Sequence, residues 1–134
     1  MQIPAQIEAK IRRRAETGGT LNCYFYDTTV MREKIAHLKT IMPAGVDVFY
    51  AMKANPHAAF LAAARDAAAA GIEIASLGEA EKALAAGFMP SGLIFTGPGK
   101  SPEELRWSVE QGIRTIHIES LVEANRLNAI CAEL

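Results

Sequence analysis

Apolar residues along this chain follow two alternating patterns. Short runs rich in β-branched or aromatic side chains occur at Val46 to Tyr50, Ile72 to Ala75, Leu93 to Phe95 and Thr115 to Ile118. Runs of this length and type predict buried strands. Each is followed by a longer segment rich in Ala, Leu and Glu, which predicts a helix. Three of those segments open with a serine followed three residues later by a glutamate: Ser76 with Glu79, Ser101 with Glu104, and Ser120 with Glu123. In such a capping box the serine oxygen and the glutamate carboxylate satisfy N–H groups that the first helical turn leaves free. The remaining helix start is Asn55 followed by Pro56, a good N-cap before a proline whose missing N–H costs nothing in the first turn. Gly71, Gly87 and Gly112 predict helix ends in the left-handed conformation that glycine adopts without a steric penalty.

Lys53, Ser76, Gly97 and Ser120, taken as the ends of the strand regions, lie 23, 21 and 23 residues apart. That is the period of a strand and helix unit, and four units in a row predict a parallel sheet covered by helices. A (β/α)8 barrel or an open doubly wound sheet would satisfy the pattern. The glycine-rich GxGxxG turn of a dinucleotide-binding fold is absent after the first of these strands, which favours the barrel. The fold class expected is therefore α/β, the N-terminal half of a (β/α)8 barrel, in which about four βα units follow a strand and helices.

Residues 1–45 lead into these units. Ile3, Ile7 and Ile11 form an i, i+4 stripe on a short helix ending at Gly18 and Gly19. Cys23-Tyr24-Phe25-Tyr26 reads as a strand. Asp27 is an N-cap for a helix to about Ile41 whose Met31, Ile35, Leu38 and Ile41 share one face. Met42-Pro43-Ala44-Gly45 ends it, and residues 46–134 carry the four βα units.

Composition narrows the function. Half of the 134 residues are apolar and 22% are charged, the balance of one ordinary globular domain. A net charge of −1 gives no broad field for nucleic acid or an anionic membrane, so a small molecule is the expected partner. Cys23 and Cys131 form no CxxC pair, which suggests neither a zinc site nor a disulfide framework. No apolar segment reaches the roughly 18 residues of a membrane helix. Free thiols and the lack of such a segment point to the cytoplasm.

The chemistry centres on Lys53, at the C-terminal end of the first βα strand, where a barrel places its active site. A lysine held at the end of a buried apolar strand is costly to keep charged, which frees its amine for Schiff-base chemistry. Its plainer role is a surface lysine that lays its stem on the strand end. The neighbouring residues decide between them. Tyr50-Ala51-Met52-Lys53-Ala54-Asn55-Pro56 resembles the cofactor-lysine motif of the fold-type III pyridoxal-phosphate decarboxylases, which include the diaminopimelate, ornithine and arginine decarboxylases. The likeness continues in order through Glu73-Ile74-Ala75-Ser76-Leu77-Gly78-Glu79 and Ile94-Phe95-Thr96-Gly97-Pro98-Gly99-Lys100, then Ser101-Pro102-Glu103-Glu104-Leu105.

The resemblance implies pyridoxal 5'-phosphate as cofactor, held by Lys53 as an internal aldimine, and an amino-acid substrate that loses its α-carboxylate as carbon dioxide. Ala51, two residues before Lys53 on the strand, would line the cofactor pocket. Glu73 stands where ornithine and diaminopimelate decarboxylases usually carry aspartate near the cofactor. Ser76 and Glu79 match the family's Ser-x-Gly-Glu pattern, although a helix cap explains both. Gly97 to Lys100 would lie near the pocket mouth or form a simple tight turn. His117, between Ile116 and Ile118, reads first as a core histidine and second as a catalytic one. His57, inside a helix start, could reach the pocket, and His37 reads as an exposed helix residue.

A full barrel takes around 250 residues. The resemblance places the glycine-rich phosphate loop, the acid facing the pyridine nitrogen and a C-terminal β-domain downstream, and it implies a homodimer in the full-length protein. The chain is accordingly expected to be part of a longer protein and nearly inactive by itself. Two other readings remain. Alanine racemases share the barrel and the lysine but usually follow it with a different motif, and a non-catalytic βα module could bind the cofactor or a partner without turnover.

Overall fold

A computed structural model describes residues 3–134. Helix α1 (Ala5–Glu16) and helix α2 (Thr28–Ile41) come first, and Asp27 caps α2 by accepting a hydrogen bond from the Thr29 N–H at 2.9 Å. Of the face expected on α2, Ile35 is buried, Met31 and Leu38 are half-buried and Ile41 is exposed. On α1, Ile7 and Ile11 are half-buried, whereas Ile3 precedes the helix and is exposed. The strand expected over Cys23 to Tyr26 does not form. Among the described residues no neighbouring strand pairs with this segment, Tyr24 is 87% exposed, and extended backbone without a ladder partner has no reason to persist. Both cysteines are free and exposed.

The repeat follows as β1 (Phe49–Ala51), α3 (Ala58–Asp66), β2 (Gly71–Ile74), α4 (Leu77–Ala85), β3 (Leu93–Phe95), α5 (Pro102–Glu110), β4 (Thr115–Ile116) and α6 (Leu121–Glu133). The four strands form one parallel sheet in the order β1-β2-β3-β4. Strands paired in sequential order, each crossing over through a helix, make an arc of a barrel rather than a doubly wound sheet, whose strand order reverses. Strand β3 coincides with its apolar run and β2 lies one residue earlier than its run, whereas β1 and β4 are shorter than theirs.

Register divides the sheet into two faces. Tyr50 pairs with Ile72 and Ile72 with Leu93, while Ile74 pairs with Phe95. Ile72, Ile74, Leu93 and Phe95 are fully buried against Leu61 and Ala64 of α3, Ala80 and Ala83 of α4, and Ile35 of α2. Burying a large apolar side chain of this kind contributes roughly 1.5–3 kcal/mol, so this face holds the sheet together. On the opposite face Ala51, Glu73, Ile94 and Thr115 lie in one aligned row, and all four are only half-buried. The helices expected to cover the sheet therefore bury one of its faces, and the other stays open among the described residues.

The helix starts differ in detail from the capping pattern. Ser101 and Glu104 form the full reciprocal box. Ser76 and Ser120 accept from the Glu79 and Glu123 N–H groups as expected, but the two glutamates reach one residue further back, to the Ala75 and Glu119 N–H groups. The cap of α3 is His57, not Asn55: His57 Nδ1 accepts from the Ala59 N–H at 3.1 Å, while Asn55 Oδ1 accepts from the His57 N–H. The chain turns after β1 before it can become helical, which moves the helix start past Pro56.

Gly87 and Gly112 take positive φ as expected, but Gly71 does not; Ala68 holds the left-handed turn after α3, at φ 54°. Gly71 serves another need. A Cβ there would lie 1.8 Å from the Gly92 carbonyl oxygen, so only glycine lets the two backbones approach this closely.

Candidate functional site

The C-terminal ends of the four strands bring together the residues singled out by sequence. Lys53 sits in a single 3-10 turn, Met52–Ala54, directly after β1. Met52 anchors the turn in the core with no exposed surface. From the strand below, the Tyr50 hydroxyl donates to the Asn55 carbonyl oxygen at 3.0 Å, tying off the far side of the turn. Burial pushes the Tyr50 phenol above its usual 10.0, keeping it a donor. With both flanks pinned, the Lys53 side chain extends from a fixed base.

That side chain is 73% exposed, which corrects the expectation of a desolvated amine. It reaches across to β2, where Lys53 Nζ lies 3.7 Å from Glu73 Oε1. The same carboxylate oxygen accepts a hydrogen bond from Thr96 Oγ1 at 2.9 Å. Glu73 belongs to the open row that includes Ala51, so a small side chain and an acid flank each other at the base of the lysine. Ser76 follows β2 and is engaged as the cap of α4 through its oxygen, which leaves its hydroxyl proton free to donate elsewhere.

The next two strand ends are tied to one another. Gly97, at φ 98°, receives Glu119 Oε1 on its N–H at 2.7 Å. Its carbonyl accepts from Lys100 Nζ, which is buried and lies 2.8 Å from Glu123 Oε1. The other Glu123 oxygen accepts from the Glu119 N–H at 2.7 Å, closing a ring through Gly97, Lys100, Glu123 and Glu119. Burial alone would raise the Glu123 carboxyl. The Lys100 ammonium, the Glu119 N–H and the more distant Arg126 outweigh it and hold the group below the ordinary 4.5. Lys100 is thus an internal strut rather than a group at the pocket mouth.

His117 is exposed, not a core residue. Its N–H continues the ladder to the Phe95 carbonyl at 2.8 Å, and alternation carries its ring to the open face along with Thr115. His57 is occupied as a helix cap and His37 is exposed on α2. Sequence reading assigned no part to Thr96, Glu119 or Glu123 in this cluster. A usable signal existed for Thr96, which follows Glu73 by 23 residues, one repeat of the βα period.

An accessible amine beside a carboxylate, at the C-terminal edge of a parallel sheet, stands where a βα barrel carries its active site and is chemically able to join a carbonyl group. Residues 28–134 match the family described as pyridoxal-dependent decarboxylase, pyridoxal binding domain, and the chain belongs to that family. Its cofactor is pyridoxal phosphate.

Among curated relatives, 2-[(L-alanin-3-ylcarbamoyl)methyl]-2-hydroxybutanedioate decarboxylase of Staphylococcus aureus is 42% identical over 108 residues, 80% of this chain and 26% of the relative. Diaminopimelate decarboxylase of Zymomonas mobilis is 35% identical over 117 residues, 84% of this chain and 27% of the relative. The chain thus spans about a quarter of the length of these relatives. Among solved structures, Helicobacter pylori diaminopimelate decarboxylase complexed with L-lysine superposes with a TM-score of 0.77 at 26% identity, covering 91% of this chain and 31% of that one. Vibrio vulnificus lysine/ornithine decarboxylase complexed with putrescine has a similar fold, with a TM-score of 0.79 at 23% identity over 96% of this chain and 34% of that one.

The residues present suit part of such a cofactor. A primary amine open to solvent can attach an aldehyde, and the half-buried row of Ala51, Glu73, Ile94 and Thr115 offers a floor for an aromatic ring. The phosphate is less well provided for. Each of the four helices that begin at this end already has its first turn capped, by His57, Ser76, Ser101 and Ser120.

Proposed function

We propose that this chain is the cofactor-bearing N-terminal part of a pyridoxal-phosphate-dependent amino-acid decarboxylase, with Lys53 as the residue that attaches the cofactor. Residues 46–134 form the half barrel that carries the site, and residues 1–45 lead into it. The observation that carries this reading is the Lys53 amine at the C-terminal edge of the sheet, 3.7 Å from Glu73 on the open face. Lys53 binds the cofactor covalently and Glu73 orients the amine. Ala51 keeps the floor beside the lysine clear, and the free hydroxyl proton of Ser76 is a donor at the rim.

When bound, the cofactor supplies a conjugated ring that takes up the electrons left as an α-carboxylate departs as carbon dioxide. The substrate is an amino acid with a free α-amine. The phosphate cradle and the groups that select the substrate side chain lie outside these residues, and the full-length enzyme acts as a homodimer. The capped helix starts support the placement of the phosphate elsewhere.

Incubation of the full-length protein with pyridoxal phosphate, borohydride reduction and peptide mapping test the assignment. A single label on the peptide containing Lys53 is expected, and Lys53→Ala should abolish it. A label on another lysine would overturn the role given to Lys53. Release of carbon dioxide without exchange-linked racemisation of the substrate would separate decarboxylase from racemase.

A further inference from the structure

Glu73 is not held by the lysine it faces. Its ion pair with Lys53 is 3.7 Å long and largely exposed on the lysine side, and exposed pairs of this kind fix geometry weakly. The short contact to Glu73 Oε1 comes from the neighbouring strand, where Thr96 Oγ1 donates at 2.9 Å. The Ile74 carbonyl lies 3.4 Å from the same hydroxyl, a longer and weaker alternative for its single proton. The Thr96 backbone is itself fixed. Its N–H donates to the Ile74 carbonyl at 2.9 Å, and the next residue, Gly97, is gripped through its N–H by Glu119 and through its carbonyl by the buried Lys100.

From these contacts we infer that Thr96 is a positioning residue for the lysine site: its hydroxyl aims the Glu73 carboxylate at the Lys53 ammonium, so that the carboxylate accepts the proton the lysine must shed before its amine attacks an aldehyde. The ring of Gly97, Lys100, Glu123 and Glu119 provides the rigid base from which it does so. A threonine suits the task because a β-branched side chain at a strand end has few rotamers, so its hydroxyl direction follows the backbone. The inference rests on Lys53 being the attachment residue.

The test measures, in the full-length apo protein, the rate at which Lys53 captures pyridoxal phosphate, trapped by borohydride at timed intervals and quantified on the Lys53 peptide. Thr96→Val and Thr96→Ala, which lose the hydroxyl with different shapes, should each slow capture about tenfold, the effect expected from losing one hydrogen bond to a charged acceptor. Thr96→Ser should stay within about twofold of the parent, since it keeps the donor. In a Glu73→Ala background the Thr96→Val effect should vanish, because Thr96 acts through that carboxylate; a merely structural threonine would show the same loss in both backgrounds. Capture unchanged in Thr96→Val and Thr96→Ala, or slowed equally with and without Glu73, would overturn the inference. A parent label that maps away from Lys53 would instead remove the assignment on which it stands, and the two failures are told apart by where the parent label lies.

Discussion

Two lysines in this chain sit near glutamates, and their surroundings give them opposite roles. Lys53 and Glu73 have side chains 73% and 31% exposed, so their attraction contributes little to stability, and the role proposed for it is to act on the amine. Lys100 and Glu123 are 1% and 7% exposed, so losing either partner leaves a buried charge without compensation. Lys100→Met is expected to destabilise the fold by roughly 3–5 kcal/mol, read from urea unfolding, whereas replacing both partners with apolar residues should recover much of that loss. The pair also sets a pH dependence. Glu123 is held below its ordinary value of 4.5 in the folded chain, so its contribution is complete above about that pH and is lost as pH falls through the lower folded value. The unfolding midpoint should therefore drop on acidification below pH 4.5, and the doubly apolar variant should lose part of that drop. A steeper acid loss in the doubly apolar variant would contradict the assignment.

Individual strands and helices are marked by their ends more than by their middles. The serine caps at Ser76, Ser101 and Ser120 all form where the sequence places them, because a cap depends on residues within one turn of each other. The cap of α3 moved from Asn55 to His57 because the turn carrying Lys53 has to be completed first, and that turn is fixed by the Tyr50 contact to the Asn55 carbonyl rather than by local preference. Gly71 shows the same contrast. Its sequence context suggested a helix end, but its actual constraint is the approach of β2 to Gly92. Gly71→Ala should accordingly cost about 3 kcal/mol or more, since the clash is with backbone and no rotamer change relieves it. Gly78, in α4 with open space around it, should respond in the opposite sense: Gly78→Ala should stabilise by roughly 0.4–1 kcal/mol. Thermal or urea unfolding of the two variants side by side checks both signs.

Across the whole molecule the sheet has a covered face and an open one. Helices bury Ile72, Ile74, Leu93 and Phe95 on one side, while the row that includes Ala51 and Glu73 remains half-exposed on the other. Strands β2 and β3 have neighbours on both sides, whereas β1 and β4 each have one among the described residues. Amide hydrogen exchange should therefore be slowest in β2 and β3 and faster, by about tenfold or more, in β1 and β4. Equal protection of all four strands would mean that the edges are covered. The repeating run of apolar strand, capped helix and glycine, together with the motif around Lys53, was enough by itself to mark the four strand and helix units and to put Lys53 just after the first strand, since each of those marks is set by residues close in sequence. Only the tertiary structure decided that Cys23 to Tyr26 stays unpaired, that Lys53 is exposed while Lys100 is buried, and that Thr96 meets Glu73. Those outcomes depend on which segments become neighbours across the sheet, and chain spacing alone does not determine how deeply a charge is buried or which oxygen a hydroxyl reaches.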